Sequence, residues 1–235
     1  MAIAVRDSRT FSEDGADNSF DNSANKISIT AGDLITVEVK WEAVGGSTIS
    51  SVTDDIGGNT YTLGTVKDGT GTGGAPHSQI AYCLSSAGTS AAATITVTLS
   101  SASVTFKRAV ARSVSGFAVA ALDTAFTGGA NTNQQPVTGT ASTVDAVEYV
   151  TSLASYATNV TFDTPTIGGT AATGSNTLGD IDSFYLITSS AISSGTCTVH
   201  SNVSSNWSII GTAFKETAQR PLLVGKFSGK FKGKF

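Results

Sequence analysis

Charge is scarce in this chain. Asp, Glu, Lys and Arg make up only 14% of its 235 residues, so few side chains are available for acid–base or electrostatic chemistry. Cysteine is rarer still. Cys83 and Cys197 are too few for a disulfide scaffold or a thiolate zinc site. Each lies in a strand-like run, which predicts two buried free thiols in preference to one disulfide. The only histidines, His77 and His200, have no Cys, Asp or Glu at ligand spacing. A zinc site or a Ser-His-Asp triad is therefore not supported, and both rings are expected to be solvent-exposed polar groups. No apolar run reaches membrane-spanning length, and the opening MAIAVRDSRTFSEDG lacks the apolar segment of a signal peptide. The sequence thus predicts neither a membrane protein nor export by the ordinary secretory route. Helical periodicity is missing too, because Gly or Ser interrupts every candidate stretch.

Sparse charge does not imply disorder here. Hydrophobic residues are 40% of the chain and mean hydropathy is +0.09, enough to build a core. Small β-formers separated by Gly and Ser point to many short strands with tight turns. Ile35, Val37, Val39 and Trp41 alternate with Thr36, Glu38, Lys40 and Glu42, the pattern of a half-buried strand. Further strands are expected over 48–53, 60–66, 78–84, 94–99 and 104–114. After Gly116 the order of features returns. The turn Thr53 to Gly58 (TDDIGG) is matched by Thr164 to Gly169 (TPTIGG), and Ile80 to Leu84 by Ser183 to Ile187. Residues 32–39 are matched by 144–150, and Phe106 to Val114 by Trp207 to Lys215. The predicted fold is an all-β antiparallel sandwich, jelly-roll-like, built from two degenerate repeats of about five strands each. An arm or edge strand occupies 1–26, and the sandwich spans 27–215. Its repeats cover about 27–116 and 140–215, joined by a flexible polar linker over 117–139. Two small Ig-like sandwiches fit the same pattern. A single interleaved sandwich is favoured, because one shared core covers the few large apolar side chains better than two thin ones.

Candidates for chemistry are few. Asp54, Asp55 and Asn59 could present oxygens to calcium, as could Asp180 and Asp182, but tight turns select the same residues for backbone reasons. Trp41 and Trp207 lie in phase with the apolar faces of their strands and read as core rather than as a sugar-stacking platform. The glycine-rich stretch 69–74 lacks the Lys-Ser/Thr and the strand–loop–helix setting of a phosphate loop. No active site and no cofactor are expected.

The closing GKFSGKFKGKF is different in kind, since Gly-Lys-Phe occurs three times in it. Extended, it carries Phe227, Phe231 and Phe235 with glycines on one face and Lys226, Lys230, Lys232 and Lys234 on the other. Charge is split along the chain as well. Residues 1–218 hold 9 Lys/Arg against 18 Asp/Glu, a balance of −9, whereas 219–235 hold five basic residues and no acid. Such a body repels nucleic acid, while the tail suits an acidic protein surface. The predicted partner-binding residues are Phe227, Lys230, Phe231, Lys232, Lys234 and Phe235, in a docking tail over 216–235.

The run Ser50 to Leu63 (SSVTDDIGGNTYTL) resembles the "S-V-T-D-x-x-G-N-x-Y" turn of a β-sandwich module of tailed-bacteriophage virion proteins and some large bacterial surface proteins. Trp207 to Lys215 is similar to that module's closing strand. The likeness covers most of 20–215 but carries no catalytic residue, and the basic tail is not part of it. It implies a non-enzymatic virion structural protein assembled in the host cytoplasm, of the capsid-decoration or head-fibre type. The implied partners are the major capsid protein or another virion protein and further copies of this chain, with no nucleic acid and no membrane. The alternative expectation is a carbohydrate-binding or adhesion module for host attachment.

Overall fold

The computed structural model describes residues 2–43, 47–70, 74–101 and 104–216. These residues form an all-β antiparallel fold, as the composition and turn spacing predict. The first eleven strands are β1 (Ala4–Glu13), β2 (Ser19–Asp21), β3 (Ile27–Ile29), β4 (Leu34–Ala43), β5 (Ile49–Asp54), β6 (Thr62–Leu63), β7 (Lys67–Asp68), β8 (Ala75–Cys83), β9 (Ser90–Ala93), β10 (Ile95–Leu99) and β11 (Thr105–Ser115). The remainder are β12 (Ala120–Asn133), β13 (Glu148–Tyr156), β14 (Thr166–Ile167), β15 (Thr170–Ala171), β16 (Gly174–Thr177), β17 (Ile181–Ile187), β18 (Cys197–Thr198) and β19 (Ser205–Glu216).

Two large sheets dominate. The N-terminal one runs β1-β11-β4-β8-β6, with β7 also on β8, and the C-terminal one runs β12-β19-β13-β17-β16. Position by position the two orders correspond, from first edge strand through closing strand to the central pair. Smaller sheets, β2-β10-β5 with β3-β9 in the first half and β15-β14-β18 in the second, cover one face of each large sheet. The two matched turns also share backbone geometry. Gly57 and Gly58 have φ of 80° and 79°, and Gly168 and Gly169 have 59° and 78°, the left-handed region that glycine enters without a Cβ clash.

Pairing does not interleave the halves. No strand of 4–115 pairs with a strand of 120–216 among the described residues. Each half has its own apolar interior. Ile35, Val37, Val39, Trp41, Val97 and Ala111 belong to the first, and Val150, Ile167, Phe184, Trp207 and Ile209 to the second. The favoured single shared core is therefore replaced by two, and the shortage of large apolar residues is met differently. The uncovered faces of the two large sheets pack on each other, giving four layers and burying β8 and β13 along their whole length on both faces.

The expected linker over 117–139 is also corrected. Most of it is β12, a 14-residue edge strand paired along β19. Its polar, glycine-rich composition hides this, because an edge strand is anchored by few side chains, here chiefly the buried Phe126. In the stretch matched to 32–39, only Glu148 onward is strand, and Val144 and Val147 are exposed. Within 1–26, β1 is an edge strand that pairs with β11 and with no other strand among the described residues.

Candidate functional site

The seam between the large sheets gathers Glu38, Lys40, Glu42, Arg108, Arg112 and Asp180 from the chain's scarce charged side chains. Strand alternation puts Glu38, Lys40 and Glu42 of β4 on the face opposite Val37, Val39 and Trp41. That face is covered by the C-terminal sheet, so Glu38 and Lys40 are fully buried. Arg112 of β11 pairs with Glu38 at 3.0 Å and also donates to Ser183 Oγ at 2.7 Å, to Ser183 O at 2.7 Å and to Asn176 Oδ1 at 2.9 Å. Thr151 Oγ1 donates to the other Glu38 oxygen at 2.9 Å, and the Tyr185 ring lies under the guanidinium at 5.2 Å. One turn of the pleat further on, Lys40 Nζ bridges Glu42 at 2.5 Å and Asp180 at 2.6 Å, while Arg108 Nε reaches the second Asp180 oxygen at 3.2 Å. Three cations thus meet three carboxylates, which keeps buried charge paired. Ser78, Ser155 and Ser208 meet at 2.7 Å beside them.

Apolar contacts flank this network. Ile80 and Val110 meet Leu153, Ile181 and Ile210, and further along Leu34, Tyr82 and Val114 meet Tyr149 and Phe214. At one rim of the seam a groove of about 630 Å³ opens, lined by Leu63, Val66, Tyr82, Leu122, Phe126 and Ile210 among others. Near the start of β13, Glu148, Asp123 and Lys215 form a second cluster. Lys215 Nζ pairs with Asp123 at 2.6 Å, and the Asp145 N–H donates to Glu148 Oε1 at 2.7 Å. Burial pushes the Glu148 carboxyl up to about 7, against the opposing effect of the Asp145 N–H.

The sequence-derived candidates fall as follows. Asp54 organises its own turn, accepting from the Ile56 N–H, from Asn59 Nδ2 at 2.7 Å and from Tyr61 OH at 2.7 Å. Asp55 accepts from the Thr94 N–H at 2.9 Å. Asp180 belongs to the seam, whereas Asp182 points into the C-terminal sandwich. Trp41 and Trp207 are core residues, with Trp207 Nε1 donating to Asn133. Cys83 and Cys197 are buried free thiols, and burial pushes the Cys197 thiol up to about 12. His200 is exposed, but His77 is not. It lies in β8, stacks on Trp41 with 5.4 Å between ring centroids, and bonds Asp68 through Nδ1 at 2.7 Å. The glycine-rich context misplaced it, because β8 begins at Ala75, immediately after Gly74.

Phe227, Lys230, Phe231, Lys232, Lys234 and Phe235 lie outside the described residues. What sequence reasoning missed is the seam. Its signal was a pair of strands, β4 with Glu38, Lys40 and Glu42 in alternating sign on its polar face, and β11 with Arg108 and Arg112 four positions apart. Among the described residues no group of three or more His, Cys, Asp or Glu is placed to hold a metal ion, and no helix is long and apolar enough to cross a membrane. The chain matches no family model, no curated protein and no solved structure.

Proposed function

We propose that this protein is a non-enzymatic structural component of a tailed-bacteriophage particle, a capsid-decoration or head-fibre-type protein attached through residues 219–235. The observation that carries this reading is the threefold Gly-Lys-Phe of the tail, which sorts aromatic and cationic side chains onto opposite faces of an extended strand. The four-layer body supports it, since the ionic groups buried in the seam pair with each other and tie the two large sheets into a scaffold. Phe227, Phe231 and Phe235 enter apolar pockets of a capsid protein, another virion protein or a sister copy, while the lysine row meets acidic side chains. Burying three Phe side chains contributes on the order of several kcal/mol before ordering costs.

The adhesion alternative calls for aromatic side chains displayed on a face or loop tip. Both tryptophans are buried, and Phe106 is the one exposed aromatic among the described residues. The docking reading therefore stands first. Its test compares particle occupancy of the full chain with that of a chain ending at Ala218. Loss of occupancy is expected, and unchanged occupancy overturns the proposal. Replacing Phe227, Phe231 and Phe235 by Ser, with every Lys kept, separates the aromatic contribution from the charge.

A further inference from the structure

Asp182 is a buried carboxylate that the described residues leave without a hydrogen-bond partner. It lies on β17 opposite Ala154 of β13 and Thr177 of β16. Phe184 and Leu186, which share its face of the strand, belong to the interior of the C-terminal sandwich, whereas Ser183 faces Arg112 across the seam. Asp182 is 1% exposed, and neither of its oxygens has a hydrogen-bond partner among the described residues. The Arg112 guanidinium attracts it electrostatically, but the Arg112 Nη atoms are committed to Glu38, Thr151, Asn176 and Ser183. The corresponding place in the N-terminal sheet, opposite Val39 of β4, is held by Gln79, whose Nε2 donates to Gly64 O at 2.6 Å. Gln79 thus finds an acceptor for its amide N–H within the chain, whereas neither Asp182 oxygen has a donor among the described residues. Leaving a buried carboxylate unpaired is costly, so a ligand that brings donors and positive charge answers a definite deficit.

The space in front of Asp182 says which ligand. A cavity of about 270 Å³ opens there, between the β16–β17 end of the large sheet and the segment 162–165. Phe162, Pro165 and Ala172 give it apolar walls, Ser175 and Thr177 supply hydroxyls, and Asp163 adds a second carboxylate. Among the described residues no Lys, Arg or His lines it. We propose that this cavity binds a primary alkylammonium group, with its head on the Asp182 carboxylate and its methylene stem along Phe162, Pro165 and Ala172. The ammonium donates to the carboxylate and to the Thr177 hydroxyl oxygen, and the aliphatic stem matches the walls. Burial pushes Asp182 up to about 7 against the lowering pull of Arg112, and an ammonium neighbour holds it ionised. A free diamine and a lysine side chain of another polypeptide present the same chemistry.

Titration calorimetry on the full chain at pH 8 tests this with 1,5-diaminopentane and with Nα-acetyl-lysine amide, using 1-pentanol as the uncharged control and calcium chloride as the competing cation. Saturable binding of at least one amine, and none of pentanol, is expected. Binding of the diamine alone points to a free polyamine, and binding of the lysine amide points to a peptide-borne lysine. Asp182→Asn keeps the shape and removes the charge, and it should weaken binding roughly 30-fold or more. Amide chemical-shift changes at Phe162, Ala172 and Thr177 of the unmodified protein locate the ligand without any substitution. The proposal is overturned by absence of binding by both amines, by equal binding to Asp182→Asn, by shifts confined to other residues, or by calcium binding at Asp182 with no amine response. None of these outcomes depends on the tail, so failure here and failure of the docking reading are distinguishable.

Discussion

The two sandwich interiors and the seam between the large sheets are equally shielded from water, yet they are built from opposite chemistry. The interiors hold Ile, Val, Trp and Phe in contact, with few polar atoms to satisfy. The seam holds Arg112, Glu38, Lys40, Asp180 and Arg108, each paired with a particular opposite charge from elsewhere in the chain. An apolar interior tolerates exchange of similar volumes, because dispersion and water exclusion are not directional. A polar seam tolerates little, since each buried charge needs its counterion at hydrogen-bond distance. The difference also fixes how the halves meet. Register between the two large sheets is set by the ionic contacts, which a sliding apolar interface would not define.

The comparison breaks most sharply on a matched pair of deletions. Trp41→Ala in the first interior and Arg112→Leu in the seam are each expected to cost about 3–5 kcal/mol in denaturant unfolding. Adding Glu38→Leu to Arg112→Leu should recover most of that loss, since the orphaned carboxylate is removed with it. Failure of the double variant to recover stability would show that the seam is held by its shape and not by pairing of charge.

A smaller effect comes from pH. Glu148 and Asp182 both have carboxyls raised to about 7 by burial, above the ordinary carboxylate range of the unfolded chain. The folded state therefore binds protons more tightly than the unfolded state. The stability contributed by these two groups is greatest below the unfolded values and falls as pH rises from about 4 through about 7. Urea unfolding at pH 5 and pH 8 should show this decline from the two groups, and Asp182→Asn should lessen it. The same curve in wild type and variant would sink that assignment. Least of all is the serine trio. Ser78→Ala removes one hydroxyl from the contact with Ser155 and Ser208 and is expected to cost about 1 kcal/mol. A loss above that of Arg112→Leu would reverse the order of importance drawn within the seam.

Much of the architecture was legible along the chain. The alternation over Ile35 to Trp41 placed four side chains in one core, and the TDDIGG and TPTIGG stretches marked two glycine-pair turns of the same geometry. The thiols Cys83 and Cys197 and both tryptophans lie where strand phase predicts. The polar face of β4 was legible as polar but not as buried, because a period of two reports which side chains share a face and not what covers that face. β12 was unreadable for a related reason. An edge strand with one large buried side chain, Phe126, carries no periodic signal, and the neighbouring β19 supplies the order. His77 was read as exposed because proximity to glycine is a local signal, whereas its stacking on Trp41 is a contact across strands.

Local chemistry alone thus determined the strand class and the turn positions, since each depends on neighbours within a few positions in the chain. Tertiary structure decided that there are two interiors, that the charged faces of β4 and β11 turn inward, and that Asp182 has no hydrogen-bond partner among the described residues. Those outcomes depend on residues such as Glu38 and Ser183, or Lys40 and Asp180, which only the packing of one sheet on another brings within hydrogen-bond distance.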